Sequence, residues 1–138
     1  MMKNPSNEKI TQILKEAKTI AVVGLSSKSD RTSHQVSQAM QHKGYRIIPV
    51  NPNEEEVLGE KAYPSLREVP EDIDIINVFR RSEDMLPIAE EAATLNAPTF
   101  WMQQGIQNEE AYELLTSQGK TVIMDLCIKV AESVLLKS

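Results

Sequence analysis

The sequence contains 138 residues, 41% of them hydrophobic and 25% charged, as is ordinary for one globular domain. Its formal net charge of −5 provides no overall positive field to attract nucleic acid, so an anionic ligand has to be held by a local site. No run approaches the about 18 apolar residues of a membrane span, and residues 1–9 lack the apolar segment of a secretion signal. A single cysteine excludes an intrachain disulfide. We therefore expect a cytoplasmic protein with one domain over residues 1–138.

Short apolar runs alternate with amphipathic segments along the chain. The predicted strands cover residues 19–24, 45–50, 73–79, 99–102 and 121–124. The predicted helices cover residues 7–17, a segment capped by Thr32 or Ser33 and stopped by Gly44, a segment from 82 or 83, a segment capped by Asn108, and residues 128–136. Residues 57–70, between the second and third strands, predict an irregular crossover with at most one helical turn. Ser6 or Asn7 can cap the first helix. Pro49 indicates that the second strand lies near a sheet edge or a bulge.

This alternation predicts an α/β fold, Rossmann-like and doubly wound, with a mostly parallel five-stranded sheet and helices on both faces. In such sheets ligands bind beyond the carboxyl ends of the strands, near the point where the strand order reverses. That rule selects five loops, over residues 24–33, 51–53, 79–82, 103–105 and 125–127.

The first of these loops follows a strand and opens a helix, so its free backbone N–H groups and the helix dipole favour a phosphate. Gly24 allows a close approach of backbone and ligand. The loop also offers hydroxyl donors and positive charge, from Ser26, Ser27, Ser33, Lys28 and Arg31. The competing interpretation is a polar loop with a good helix cap.

Two common nucleotide motifs are missing from this loop. It has one glycine where the dinucleotide fingerprint has three, and no Gly-Lys-Ser/Thr follows. The second strand ends in Asn51-Pro52 and not in the acid that binds the ribose of NAD, which argues against NAD. We expect residues 54–56, three consecutive glutamates, to form a solvated face.

The third strand ends in Phe79-Arg80-Arg81. Adjacent side chains of a strand point to opposite sides, so at most one arginine is expected to face a ligand. Phe79 can flank an adenine ring. The alternative is a core phenylalanine with two solvated arginines.

Six segments carry a resemblance to a known family: Gly24-Leu25-Ser26 with Arg31 and Ser33, then residues 44–45, 49–52, 78–83, 101–106 and 125–128. Together they resemble the small bacterial CoA-binding proteins, which are similar to the CoA-binding N-terminal domain of the succinyl-CoA synthetase α subunit. The resemblance implies a Rossmann-like fold that binds coenzyme A, with the first loop and Arg31 on its phosphates. It also implies that Asn51-Pro52 and Phe79-Arg80 line the adenosine 3′-phosphate end. Lys28 departs from the proline expected in the family, which bears on the stiffness of the loop.

Further candidates lie on the last two loops. Gln104 and Gly105 can bring backbone donors close to the pantetheine arm. Cys127, at the start of the last helix, forms a mixed disulfide with CoA, acts as a redox-sensitive thiol or is a small buried hydrophobe. Trp101 is expected to be a packing residue with its N–H paired.

No catalytic set is recognisable. His34 and His42 have no evident partner for acid–base or nucleophilic chemistry, and one cysteine with two separated histidines gives no metal spacing. We therefore expect a module that binds CoA or an acyl-CoA, in a binding or a regulatory role. The alternatives left open are an NAD(P)-binding protein and an acyl-CoA ligase component that acts with a separate partner chain. A homodimer and an unidentified protein partner also stay open.

Overall fold

A central sheet with helices on both faces makes up most of the structure, a computed structural model that describes residues 2–136. The helices are α1 (Asn7–Glu16), α2 (Thr32–His42), α3 (Met85–Ala93), α4 (Glu109–Ser117) and α5 (Ile128–Leu135). The strands are β1 (Thr19–Val23), β2 (Arg46–Val50), β3 (Glu56–Val57), β4 (Glu60–Lys61), β5 (Ile75–Val78), β6 (Thr99–Met102) and β7 (Thr121–Ile123). Among these residues, no helix is long and apolar enough to span a lipid bilayer.

The five longer strands are all parallel and lie in the order β2-β1-β5-β6-β7. The order reverses between β1 and β5, where the chain first moves outward to β2 and later returns past β1. This is the predicted doubly wound α/β fold, and the reversal marks the crevice in which ligands of such sheets bind. Pro49 lies on β2, an edge strand, as predicted.

Alternate strand residues pack into two cores, one on each face of the sheet. Ile20, Ile47 and Ile75 face the core that α1, α2 and α5 cover. Their neighbours in sequence face the core under α3 and α4. Because both faces are covered, the strands read as continuous apolar runs and not as an alternating pattern.

The crossover after β2 differs from its prediction. It contains a two-stranded antiparallel hairpin of β3 and β4 and a 3-10 turn over Leu66–Glu68. The hairpin turns through Leu58 and Gly59, both with positive φ, of 55° and 79°. Such turns are recognised in a sequence by an Asn-Gly pair, but here the pair is Leu-Gly, and leucine rarely adopts a positive φ. This hairpin therefore has no recognisable signal in the sequence.

Helix capping is confirmed at two of the three predicted sites. Ser6 caps α1 by accepting from the Lys9 N–H, and Asn108 caps α4 by accepting from the Ala111 N–H. The predicted caps of α2 are wrong, because Arg31 is its N-cap residue and makes no side-chain bond to the helix. Ser33 lies inside the first turn, and its hydroxyl accepts from the preceding loop instead. The helix predicted from residue 82 begins as a 3-10 turn and becomes α-helical at Met85.

Candidate functional site

A cavity of about 450 Å³, here called the first-loop cavity, opens at the carboxyl ends of β1, β2 and β5. It therefore lies at the reversal of strand order. It is lined by Gly24, Ser26, Lys28, Arg31, Thr32, Ser33, Asn51, Asn53, Glu54, Phe79 and Arg80. Eight of these eleven residues are among the predicted binding residues. A larger cavity of about 510 Å³ lies around residues 69–74 and 94–98, at the amino ends of β5 and β6, away from these loops.

Gly24 joins the loops that follow β1 and β5. Its φ is +88°, and a Cβ atom built on it would lie 2.4 Å from the Phe79 carbonyl oxygen. Its N–H donates to the Val50 carbonyl at 2.8 Å, and the Phe79 N–H donates to Val23 at 2.8 Å. The neighbouring loop of the protein itself thus requires that Gly24 has no side chain, and both Gly24 and Phe79 line the first-loop cavity.

Hydrogen bonds to side chains hold the first loop in a fixed shape. The Ser26 N–H donates to Ser33 Oγ at 3.1 Å, and the Lys28 N–H donates to Ser26 Oγ at 3.1 Å. His34 Nδ1 donates to the Ser26 carbonyl at 2.9 Å. His34 therefore anchors the loop. The two serine hydroxyls accept from the backbone, which leaves their hydrogens to donate to a ligand.

Asn51 ties the end of β2 to the same loop. Its buried amide donates to the Leu25 carbonyl at 3.0 Å and accepts from the Asn53 N–H at 3.0 Å. The Leu25 side chain is fully buried, so only its backbone is at the site. Pro52 is exposed and does not line the cavity. Asn51 thus shapes the cavity wall through bonds within the protein.

Positive charge is concentrated at the first-loop cavity. Lys28, Arg31 and Arg80 line it, and none of the three side chains forms an ion pair with a carboxylate of residues 2–136. Arg81 does not line the first-loop cavity and pairs with Asp84 at 3.0 Å, a hydrogen bond that raises the pKa of Arg81. Of the two adjacent arginines, Arg80 alone lines the first-loop cavity. Phe79 is half-buried, with its ring packed on the core under α2 and α5.

Of residues 2–136, Glu54 is the one acidic residue that lines the first-loop cavity. Its Oε2 accepts from the Ser27 N–H at 2.8 Å, and the residue is half-buried. The expected solvated face is therefore wrong for Glu54, although Glu55 and Glu56 are exposed. A contact between positions 27 residues apart leaves no local signal in a sequence.

A second cavity, of about 470 Å³, adjoins the first at Phe79 and Arg80. Arg81, Asp84 and Ile106 complete its lining. The side chains of Phe79 and Arg80 thus form the boundary between two neighbouring spaces at the carboxyl ends of the strands. Together, the two spaces offer room for an elongated ligand.

Ser27 lines neither cavity, and Gln104, Gly105 and Cys127 also lie outside both, on the loops after β6 and β7. Gln104 and Gly105 are exposed, and the Gly105 N–H donates to Asp125 Oδ1 at 2.6 Å. Cys127 is the half-buried N-cap residue of α5 and packs beside the core. Trp101 is buried and donates to the Leu126 carbonyl at 2.8 Å, which confirms its packing role. His42 is exposed.

Residues 18–133 match a protein family described as a CoA binding domain. The chain belongs to this CoA-binding family. The match covers β1 through α5 and confirms the family predicted from the strand-end motifs.

The proteins that this chain resembles include chains of its own length and a much longer one. The chain is 60% identical to YneT of Bacillus subtilis (strain 168) over 96% of this chain and 98% of that protein. It superimposes on a hypothetical protein from Pyrococcus horikoshii OT3 with a TM-score of 0.93 and 31% identity, over 99% of each chain. It is also 39% identical to the alpha subunit of the ADP-forming acetate–CoA ligase II of Pyrococcus furiosus, over 41% of this chain and 12% of that subunit. Similar sequence thus occurs both in chains of this length and, over part of it, within a longer ligase subunit.

Proposed function

We propose that this chain binds coenzyme A in the first-loop cavity and the adjoining cavity, as a binding or regulatory module in the cytoplasm. The observation that carries the proposal is the convergence of Lys28, Arg31 and Arg80, without acidic ion-pair partners among residues 2–136, on a cavity at the strand-order reversal. Such a site suits a ligand with several phosphate groups. Membership of the CoA-binding family supports CoA as that ligand.

The position of each residue at the two cavities suggests which part of CoA it would contact. Backbone N–H groups at the start of α2, with Lys28 and Arg31, would hold the diphosphate. Arg80 would meet the 3′-phosphate, and the exposed side of Phe79 would contact adenine. The adjoining cavity near Ile106 would accept the start of the pantetheine arm. Gln104, Gly105 and Cys127, farther along the same edge of the sheet, remain predicted contacts of its thiol end.

Isothermal titration of the purified chain, stripped of bound ligand, tests this proposal. CoA, acetyl-CoA, dephospho-CoA, NAD⁺ and ATP are titrated separately. We expect CoA to bind most tightly and dephospho-CoA to bind more weakly, because the latter lacks the phosphate assigned to Arg80. Tighter binding of NAD⁺ or ATP than of CoA would contradict the proposal.

A ligase component that acts with a separate chain is the second candidate, favoured by the match to the Pyrococcus furiosus subunit. The relevant assay supplies the chain with acetate, CoA and ATP and measures ADP release. We expect none from the chain alone. ADP release that depends on all three substrates would show that the chain is a ligase that needs no partner chain, and not a binding module.

A further inference from the structure

One hydrogen bond joins the carboxylate of Glu54, which lines the first-loop cavity, to the backbone of the loop between two residues that line it, Ser26 and Lys28. The Ser27 N–H, five residues before the start of α2, donates to Glu54 Oε2 at 2.8 Å. Neighbouring N–H groups of the loop are taken by Ser33 and by Ser26. Of these three donors, Ser27 is the one whose acceptor carries a negative charge.

Among residues 2–136, the Glu54 carboxylate has one hydrogen-bond partner, the Ser27 N–H, and its backbone is held in place. It forms no ion pair within 4.0 Å with Lys28, Arg31 or Arg80, although all four residues line one cavity. Its backbone is fixed, because the Glu54 N–H donates to the Asn51 carbonyl at 3.2 Å inside the turn that ends β2. A side chain tethered so close to its donor competes with free ligands at a high effective concentration.

We propose that Glu54 is an internal competitor of the bound phosphate and sets the affinity and the charge selectivity of the site. This inference rests on the proposed binding of CoA in the first-loop cavity. In this proposal a phosphate oxygen takes the Ser27 N–H in addition to the N–H groups at the start of α2, so the ligand has to displace the carboxylate that now accepts from Ser27. The displaced carboxylate also stays beside the bound anion and repels it.

Selectivity follows from this competition. A ligand with one phosphate replaces one charged hydrogen bond by another and gains little. A ligand whose several phosphates also reach Lys28, Arg31 and Arg80 gains further charged bonds that offset the displacement. Glu54 therefore favours polyanionic ligands over singly phosphorylated ones, and it keeps the loop in its binding shape when no ligand is present.

The test compares Glu54→Gln with Glu55→Gln, a matched control. Both variants lose one negative charge next to the same turn, but Glu55 is exposed and its side chain makes no hydrogen bond with residues 2–136. A neutral amide accepts more weakly than a carboxylate, so Glu54→Gln should bind CoA about five- to tenfold more tightly than the unmodified chain. Glu55→Gln should stay within about twofold, as expected for a screened surface charge.

Inorganic pyrophosphate is titrated in parallel, because it probes the loop without adenosine or pantetheine. Tighter CoA binding by Glu54→Gln alone supports the inference. Equal CoA affinities in all three proteins, or equal gains in both variants, overturn it and leave the proposed function standing. If no protein binds CoA, the proposed function fails, and a pyrophosphate gain confined to Glu54→Gln still supports the competition. No gain with either ligand overturns it.

Discussion

Arg31 joins the start of a helix to the charge of the site. It is the N-cap residue of α2, its side chain is exposed at the first-loop cavity, and it forms no ion pair with residues 2–136. We predict that Arg31→Ala weakens CoA binding about tenfold at about 0.01 M salt and much less at about 1 M salt, because screening removes the Coulombic part. Titration calorimetry at both salt concentrations measures this. Arg67→Ala, which removes an exposed arginine from a distant 3-10 turn, is the control and should change little. A loss independent of salt would contradict the electrostatic role.

Gly24 tests how tightly the two loops are joined. An alanine at position 24 would be strained by the positive φ, and its Cβ would clash with the Phe79 carbonyl oxygen, 2.4 Å away. Gly119 has a similar φ of +82° but nothing within 4 Å of a built Cβ. We predict that Gly24→Ala lowers the free energy of unfolding by about 3 kcal/mol and Gly119→Ala by about 1 kcal/mol. Urea unfolding of both variants gives the difference, and equal losses would show that the close contact with Phe79 costs nothing.

At the β7 edge of the sheet, the segment before α1 satisfies backbone hydrogen-bonding groups that a neighbouring strand would otherwise pair. Beyond β7, the Asn4 side chain donates to the Met124 carbonyl at 2.9 Å and accepts from the Met124 N–H at 2.8 Å, as a neighbouring strand would. We predict that Asn4→Ala lowers the free energy of unfolding by about 1–2 kcal/mol, because both backbone groups lose their partner. Chemical denaturation measures the change. Asn96→Ala is the control, since the Asn96 side chain is exposed and makes no hydrogen bond with residues 2–136. A loss no larger than that of the control would contradict the edge role.

How well an element could be predicted depended on how local its determinants are. The strand over 99–102 and the caps at Ser6 and Asn108 are set by residues within one element, and the sequence predicted them correctly. The β3–β4 hairpin depends on the buried Val57 and on a leucine with positive φ, which tertiary packing imposes. At the site, strand order brought the predicted first loop and Phe79-Arg80 together. The bond between Ser27 and Glu54 could not be predicted, because the conformation of the intervening chain decides it.

The whole molecule places the proposed ligand between its two halves. Loops after β1 and β2 form one side of the first-loop cavity, and the loop after β5, from the half that continues into β6 and β7, forms the other. A ligand that contacts both sides binds only when both halves are assembled, so its binding energy adds to global stability. We predict that CoA at about 100 times its dissociation constant raises the free energy of unfolding by about 2.7 kcal/mol.

Urea unfolding with and without CoA, followed by fluorescence of the buried Trp101 on β6 and by circular dichroism, tests this coupling. Trp101 lies outside both cavities, so its signal reports the second half of the sheet and not direct contact with the ligand. Both probes should shift together to higher urea. A shift in circular dichroism without a shift in the Trp101 signal would mean that CoA stabilises only the half formed by β1 and β2. That result would place the ligand on the first loop alone and remove Phe79 and Arg80 from its contacts.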